Sequence, residues 1–107
     1  MYSKYSNIKT ITTDGIKHDS RKEARRWVEL NLLQRAGEIS DLKRQVKYEL
    51  IPKQEGERAV TYIADFVYND KKTGTTVIED CKGFKTDVYR LKKKLFQWRY
   101  GIKIKET

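Results

Sequence analysis

The chain has 107 residues and a formal net charge of +9 at pH 7, with 37% hydrophobic and 36% charged residues. This length allows one domain with one modest core, so residues 1–107 are predicted to form a single domain. A small folded domain this basic indicates a polyanionic partner, most often nucleic acid, although a merely soluble basic protein carries charge in the same way.

The rare residue types and the apolar runs narrow the class of protein. One cysteine, Cys81, excludes an internal disulfide, and one histidine, His18, argues against zinc sites that need paired histidines. These counts favour a reducing, cytoplasmic setting. No stretch approaches the ~18 apolar residues of a membrane span, so no membrane partner is expected. Residues 1–9 lack the apolar run of a signal peptide and are predicted to be a flexible basic arm.

The N-terminal third predicts a hairpin and a helix. Asp14-Gly15 indicates a β-hairpin, because a type I′ turn needs positive φ at both central residues. The sequence SRKE at 20–23 is a capping box, which starts a helix that runs to about residue 36 and stops at Gly37. Glu23 lies four residues before Trp27 and therefore near the inward side of this helix. The predicted apolar side consists of Ala24, Trp27, Val28, Leu32 and Leu33.

The rest of the chain predicts three strands, a second helix and a last strand. Alternating or apolar runs place strands at about 44–51, 59–68 and 76–82, with a final short strand in IKIKE, 102–106. Thr86 is the predicted N-cap of the second helix. Its predicted buried stripe, spaced 3, 4, 3, is Val88, Leu91, Leu95 and Trp98. The fold class is therefore α/β (α+β): a hairpin, then helix, three strands, helix and strand.

Two acids fall where a sheet would have to accommodate them. Asp65 interrupts the apolar run YIADFVY, where a carboxylate is costly unless it has a cation or hydrogen-bond donors. The alternative is that Asp65 caps a turn at a strand end. Asp80 and Lys82 are two apart and share one strand face, whereas Glu79 and Cys81 share the other. A surface ion pair explains Asp80 and Lys82 without any chemistry.

A hairpin of these two strands would bring Asp65 near Asp80 and Lys82. Two neighbouring carboxylates repel each other unless a divalent cation binds between them, and Mg²⁺ prefers oxygen ligands. A water on such a metal can attack a phosphodiester, and Lys82 would orient it or stabilise charge on the phosphate. Cys81 has no role in this chemistry and is expected to be a small buried residue.

The ordered segments DGIKHDSRKEARRW, GEISDLKRQVKYEL, YIADFVY and VIEDCKGFKTDVYRLKKKLF resemble a family of small phage and prophage proteins. That family, long known only as a domain of unknown function, is related to the PD-(D/E)XK nuclease superfamily. The resemblance implies a restriction-endonuclease-like core of order α-β-β-β-α-β, with a mixed sheet flanked by helices. It assigns Asp65 to the first motif strand and Asp80 and Lys82 to the D/E-x-K triplet. Ala64 stands where the superfamily's name has proline, which is a departure from the motif.

The resemblance also implies a function. It is a Mg²⁺-dependent DNA endonuclease, with Mn²⁺ expected to substitute, that acts on branched DNA such as Holliday junctions during phage recombination or replication. The implied metal ligands are Asp65, Asp80 and Glu23, the helical acid that phage-type Holliday-junction resolvases add. A homodimer is expected because two strands must be cut. The alternatives are a non-catalytic nucleic-acid-binding protein and a phage protein that binds a host partner.

Several residues keep two interpretations. Glu23 is either a metal ligand or only the second half of the capping box. Glu79 is a further metal candidate, with pairing to a lysine such as Lys103 as the alternative. Gln45, at the start of a strand, is an additional site candidate. The basic residues near the second helix either bind DNA phosphates or form a solvated face; they are Lys85, Arg90, Lys92, Lys93 and Lys94.

Overall fold

The computed structural model describes residues 9–82 and 84–107. The arm predicted for residues 1–9 therefore lies outside the described residues except for Lys9, and the strand break predicted at Gly83 also lies outside them. The elements in chain order are β1 (Thr10–Ile11), β2 (Lys17–His18), α1 (Arg21–Arg35), β3 (Ile39–Ile51), β4 (Val60–Asp70), β5 (Thr75–Asp80), α2 (Asp87–Tyr100) and β6 (Lys105–Glu106).

Strands β3 to β6 form one mixed sheet in the order β3-β4-β5-β6. The β3–β4 and β4–β5 pairs are antiparallel, and β6 runs parallel to β5. Strands β1 and β2 form a separate antiparallel hairpin. The prediction of an α+β fold with helix, three strands, helix and strand after a hairpin is confirmed. No described helix is long and apolar enough to cross a membrane.

The N-terminal hairpin exists, but the predicted type I′ turn is wrong. The loop spans residues 12–16, and Gly15 has φ of +84° while Asp14 has no positive φ. The Asp14 carboxylate explains the longer loop, because it accepts hydrogen bonds from the Ile16 N–H at 3.1 Å and from the Trp27 indole N–H at 2.6 Å. The hairpin is thereby attached to α1.

Helix α1 begins as predicted and buries a different face. The Ser20 hydroxyl accepts a hydrogen bond from the Glu23 N–H at 3.1 Å, and Gly37 follows the helix with φ of +79°. The buried residues are Glu23, Ala24, Trp27 and Leu30. The prediction that Val28, Leu32 and Leu33 are buried is wrong, since all three are exposed. Glu23 and Trp27 lie beside polar partners in the hairpin, His18 and Asp14, which turns the helix away from the predicted face.

Helix α2 also presents an unexpected face to the sheet. Its buried residues are Tyr89 and Phe96, whereas Val88, Leu91 and Trp98 are 63%, 59% and 81% exposed. The predicted stripe is therefore wrong except for the half-buried Leu95. Large aromatic rings gain more from burial than Val or Leu. The Phe96 ring accordingly packs on Tyr48 and Tyr62, with centroids 5.1 and 5.5 Å apart.

The strands share two cores, and Asp65 lies at the boundary between them. Ala64 packs in the core that contains Phe96 of α2, and Phe66 packs in the core that contains Trp27 of α1. Residues two apart on a regular strand share a face, so the strand is irregular at Asp65. Gln45, on the neighbouring strand, lies between the pairs Arg44–Phe66 and Val46–Ala64 and has φ of +52°. Strand β5 ends at Asp80, two residues earlier than predicted.

Candidate functional site

Asp80 is a fully buried carboxylate at the end of β5. Its Oδ2 accepts a hydrogen bond from the Tyr62 hydroxyl at 2.5 Å. The Lys82 Nζ lies 3.4 Å from Oδ1, as the two-residue spacing predicts. Among the residues that the structure describes, no donor makes a hydrogen bond to Oδ1. One carboxylate oxygen of Asp80 therefore accepts a hydrogen bond, and the other is buried with the Lys82 ammonium as a nearby cation.

Asp65 shares this site from β4. Its Oδ2 accepts a hydrogen bond from the Cys81 N–H at 2.7 Å. Burial, followed by the negative charge of Asp80, raises the pKa of Asp65 from 3.8 to about 7. The Cys81 hydrogen bond and the Lys82 charge oppose this rise in pKa but do not overcome it. The two acids that the sequence predicted to meet do influence each other, and they leave negative charge without full compensation.

Glu23 approaches the same site from α1. Glu23 is 5% exposed, and its Oε1 lies 3.5 Å from the His18 Nδ1 and 3.8 Å from the Arg44 Nη2. Its charge contributes to the raised pKa of Asp65. The helix cap comes from the Ser20 hydroxyl, and the Glu23 carboxylate faces His18 and Arg44. Sequence reasoning did not place His18 or Arg44 at the site, because both lie on strands whose pairing with α1 has no local signature.

Three polar atoms around Glu23 lack hydrogen bonds within the described part of the chain. They are the Glu23 Oε1, the His18 Nδ1 and the Arg44 Nε, and all three are buried. Buried polar atoms normally have a protein or water partner. The region between α1 and the hairpin therefore has hydrogen-bonding capacity that ordered water or a ligand can satisfy.

Glu79 lies on the opposite face of β5, as predicted, and is also fully buried. It accepts hydrogen bonds from the Arg26 Nε at 2.5 Å and from the Tyr68 hydroxyl at 2.7 Å. The alternative of a pairing with Lys103 is wrong, since Glu79 lies on the side of the sheet that α1 covers and forms its ion pair with Arg26. Both Glu79 oxygens therefore have donors: Oε1 accepts from the Arg26 Nε, and Oε2 accepts from the Tyr68 hydroxyl and, at 3.3 Å, from the Arg26 Nη2.

Two other sequence candidates have distinct positions. Gln45 is exposed and lies opposite Asp65 in the β3–β4 register. Burial raises the pKa of the Cys81 thiol to about 11, so this thiol is protonated at neutral pH. Cys81 is half-buried, and its backbone N–H donates to Asp65.

The predicted DNA-binding residues near α2 divide into paired and unpaired cations. The Lys85 and Lys93 ammonium groups lie 3.2 and 2.9 Å from the same oxygen of Glu106. The hydrogen bond from Lys93 is the largest cause that lowers the pKa of Glu106 to about 2. Arg90 and Lys94 are exposed. Lys92 lines a shallow cleft of about 260 Å³ together with Lys82, Tyr62 and Tyr89, next to Asp80.

The donor set determines which ion would fit. The described residues include no group of three or more His, Cys, Asp or Glu side chains placed to hold a metal ion. Mg²⁺ needs less, since it usually keeps several waters and binds through one or two carboxylates. The Asp80 Oδ1 and the Asp65 carboxylate suit such an ion, because one lacks a donor and the other carries a raised pKa that a cation would lower.

Comparison with known proteins identifies a family whose description states no function. The chain matches, over residues 2–107, a family described as "Protein of unknown function (DUF1064)". No curated protein and no solved structure matches the chain. Because the match covers nearly the whole chain, the protein belongs to the DUF1064 family.

Proposed function

We propose that this protein is a Mg²⁺-dependent DNA endonuclease of the PD-(D/E)XK type. One observation carries the proposal: an Asp80 oxygen that is buried and has no hydrogen-bond donor among the described residues lies in the same site as Asp65, whose pKa is raised to about 7. Buried acids without compensation are costly for stability, so they mark functional sites more often than structural ones. The order of helices and strands and the mixed sheet agree with the nuclease core that the resemblance implies.

Each residue has a role that follows from its contacts. Asp65 and Asp80 would hold the ion, and the ion would supply charge stabilisation and activate a water for attack on the phosphodiester. The Tyr62 hydroxyl fixes one oxygen of Asp80 and leaves the other available. Lys82, 3.4 Å from Asp80 and 35% exposed, is placed to donate to a phosphate oxygen as charge builds on it. Glu23 would act on Asp65 from α1, through its charge or through a water.

The DNA would approach over the cleft that Lys82 and Lys92 line, beside α2. Phosphate contacts of this kind position the backbone without reading sequence. Branched DNA as substrate, action in phage recombination or replication, Mn²⁺ as a substitute ion, the host cytoplasm as location and a homodimer as the assembly remain predictions from the resemblance.

A second candidate function is binding of nucleic acid without cleavage. It is favoured by the lack of a three-acid group in the described part of the chain together with the charge of +9. This candidate predicts the same DNA affinity with and without a divalent ion and no product at any time. It shares the fold and the basic surface with the first candidate, so only a cleavage assay separates them.

The test compares cleavage of a four-way junction and of a linear duplex, each with Mg²⁺, Mn²⁺ or EDTA. We expect cleavage with either ion and none with EDTA. Asp80→Asn should lower the cleavage rate by at least ~100-fold, because changes of residues that only support metal ligands already cost 10–100-fold. Asp70→Asn, at the C-terminal end of the strand that carries Asp65, is the matched control and should cut as the parent does.

Two results would contradict the proposal. If the parent protein binds DNA but cuts neither substrate with either ion, the non-catalytic candidate is correct. If Asp80→Asn cuts as fast as Asp70→Asn, the protein is a nuclease whose site lies elsewhere.

A further inference from the structure

A second basic surface lies on α1, on the side of the sheet away from the α2 residues that the sequence singled out. A cleft of about 330 Å³ opens between the start of α1 and β6. Four of its seven lining side chains are cationic. The lining residues are Lys22, Arg25, Arg26, Glu29, Cys81, Lys105 and Thr107. We propose that this α1–β6 cleft binds the phosphodiester backbone of a nucleic-acid strand; that choice of ligand rests on the proposed function.

The positive charge of the cleft is not neutralised from within. Arg26 is engaged by Glu79 at 2.5 Å and by Glu29 at 3.0 Å, so these groups largely satisfy each other. Lys22, Arg25 and Lys105 form no ion pair with any residue that the structure describes. Among the described residues, three cations of the cleft therefore form no ion pair, because Glu29, the acid in its lining, pairs with Arg26, whereas Lys85 and Lys93 near α2 share Glu106.

The cations of the cleft on α1 lie close to the N-terminus of the helix. Lys22, Arg25 and Arg26 lie within the first two turns of α1, next to Arg21. The N-terminus of a helix carries a partial positive charge and favours anions, so cations there lower the stability of the isolated helix. An anionic ligand removes this repulsion, because the cations and the helix N-terminus then act on it together.

The cleft is linked to the acidic site through one residue. Cys81 lines the cleft, and its backbone N–H donates to Asp65 at 2.7 Å. Cys81 therefore lies between the cleft and Asp65. A strand held in the α1–β6 cleft would pass close to Asp65, and α1 would then bind DNA alongside the surface proposed on α2.

The experiment measures DNA binding in EDTA, so that cleavage does not enter. The cleft variant combines Lys22→Gln, Arg25→Gln and Lys105→Gln. The control variant removes the same charge from exposed turn residues, with Lys53→Gln, Lys71→Gln and Lys72→Gln. Fluorescence anisotropy with a labelled duplex gives Kd across a salt series, and thermal melting checks that both variants are folded.

We expect the cleft variant to bind at least ~10-fold more weakly than the control at low salt. The slope of log K against log salt is negative, and its magnitude should decrease by about 2 to 3, since each lost phosphate contact removes about 0.9 from it. The control should keep the parent slope. If the folded cleft variant matches the control in both Kd and slope, the inference is overturned. It is also overturned if the parent binds no DNA in EDTA.

Failure of this inference and failure of the proposed function give different results. If the cleft variant binds and cuts as the control does, the nuclease stands and the cleft does not. If the cleft variant loses binding while the parent never cuts DNA with Mg²⁺ or Mn²⁺, the cleft stands and the enzyme does not.

Discussion

Glu79 and Asp80 are adjacent, fully buried carboxylates with opposite surroundings. Glu79 faces α1, where Arg26 and Tyr68 supply three hydrogen bonds to its two oxygens. Asp80 faces α2, where Tyr62 occupies one oxygen and the other has no donor among the described residues. One peptide bond thus separates an acid with a full set of partners from an acid with an incomplete set.

The difference in hydrogen-bond partners indicates a structural role for one acid and a functional role for the other. A buried charge that has its partners contributes to the structure, and its partners become essential once it is there. A buried acid with an incomplete set of donors, such as Asp80 with Tyr62 and the Lys82 charge, is a candidate for binding a ligand or taking part in a reaction. On this comparison Glu79 stabilises the packing of α1 on the sheet, and Asp80 with Asp65 forms the proposed site.

The largest effect on stability is expected at the compensated acid. Arg26→Met keeps the aliphatic stem and leaves Glu79 buried with only the Tyr68 hydroxyl. Breaking one partner of a buried pair costs 3–5 kcal/mol, and since the Arg26 side chain is 20% exposed we expect about 3 kcal/mol in the free energy of unfolding. Urea denaturation measures it. The control is Arg25→Met, an exposed neighbour, which should change stability by less than about 0.5 kcal/mol.

A loss with Arg26→Met no larger than with Arg25→Met would show that Glu79 does not depend on its partner. The contrast between the two faces of β5 would then not explain the site. The two variants remove equal charge from the α1–β6 cleft, so their difference reports on the partners of Arg26, which are the buried Glu79 and, with a smaller share, the exposed Glu29.

The next effect is a pH dependence at the uncompensated acids. The folded state raises the pKa of Asp65 from 3.8 to about 7. The stability that a neutral Asp65 gives is therefore fully present below pH ~4 and is lost as the pH rises through 7. Asp65→Asn should match the parent near pH 4 and exceed it above pH 7 by about 2 kcal/mol, because partial solvation and the shared charge of Asp80 reduce the ~4 kcal/mol that 1.36 kcal/mol per pKa unit would give.

Denaturation of Asp65→Asn, Asp70→Asn and the parent across pH 4 to 8, without divalent ions, tests this. Added Mg²⁺ at pH 8 should raise the melting temperature of the parent but not that of Asp65→Asn, because the ion binds the ionised pair. A constant difference between Asp65→Asn and the parent at every pH would place Asp65 in an ordinary environment and remove the basis of the comparison.

The order of elements and the pairing of Asp80 with Lys82 could be predicted because their causes are local in sequence. Strand alternation fixes which of Glu79 and Asp80 faces which side, and SRKE with Gly37 fixes the ends of α1. Those predictions are confirmed. The approach of Asp65 to Asp80 also followed from a hairpin that the turn residues 69–75 indicated.

The buried faces of both helices could not be predicted in the same way. Apolar spacing on α2 favoured the stripe of Leu91 and Trp98, but aromatic packing of Phe96 on Tyr48 and Tyr62 determined the orientation. On α1 the partners of Glu23 and Trp27 come from the hairpin, which no periodicity on the helix reveals. Tyr62, the donor to Asp80, was missed because a tyrosine in an apolar strand gives no sign that its hydroxyl has an acid to bind.

Glu23 is the acid that the comparison between the two faces of β5 leaves undecided, and a pair of variants places it. Ser20→Ala removes the helix cap and should cost about 1 kcal/mol in the free energy of unfolding, with cleavage unchanged. Glu23→Gln keeps the cap, because the cap uses the Glu23 N–H. If Glu23 belongs with Asp65 and Asp80, Glu23→Gln should change stability by less than Ser20→Ala and lower the cleavage rate about 10- to 100-fold. Urea denaturation and the junction-cleavage assay on both variants give the two readouts.

Normal cleavage by Glu23→Gln with a loss of stability would instead group Glu23 with Glu79. Glu23 would then be a structural acid whose contacts with His18 and Arg44 stabilise the fold.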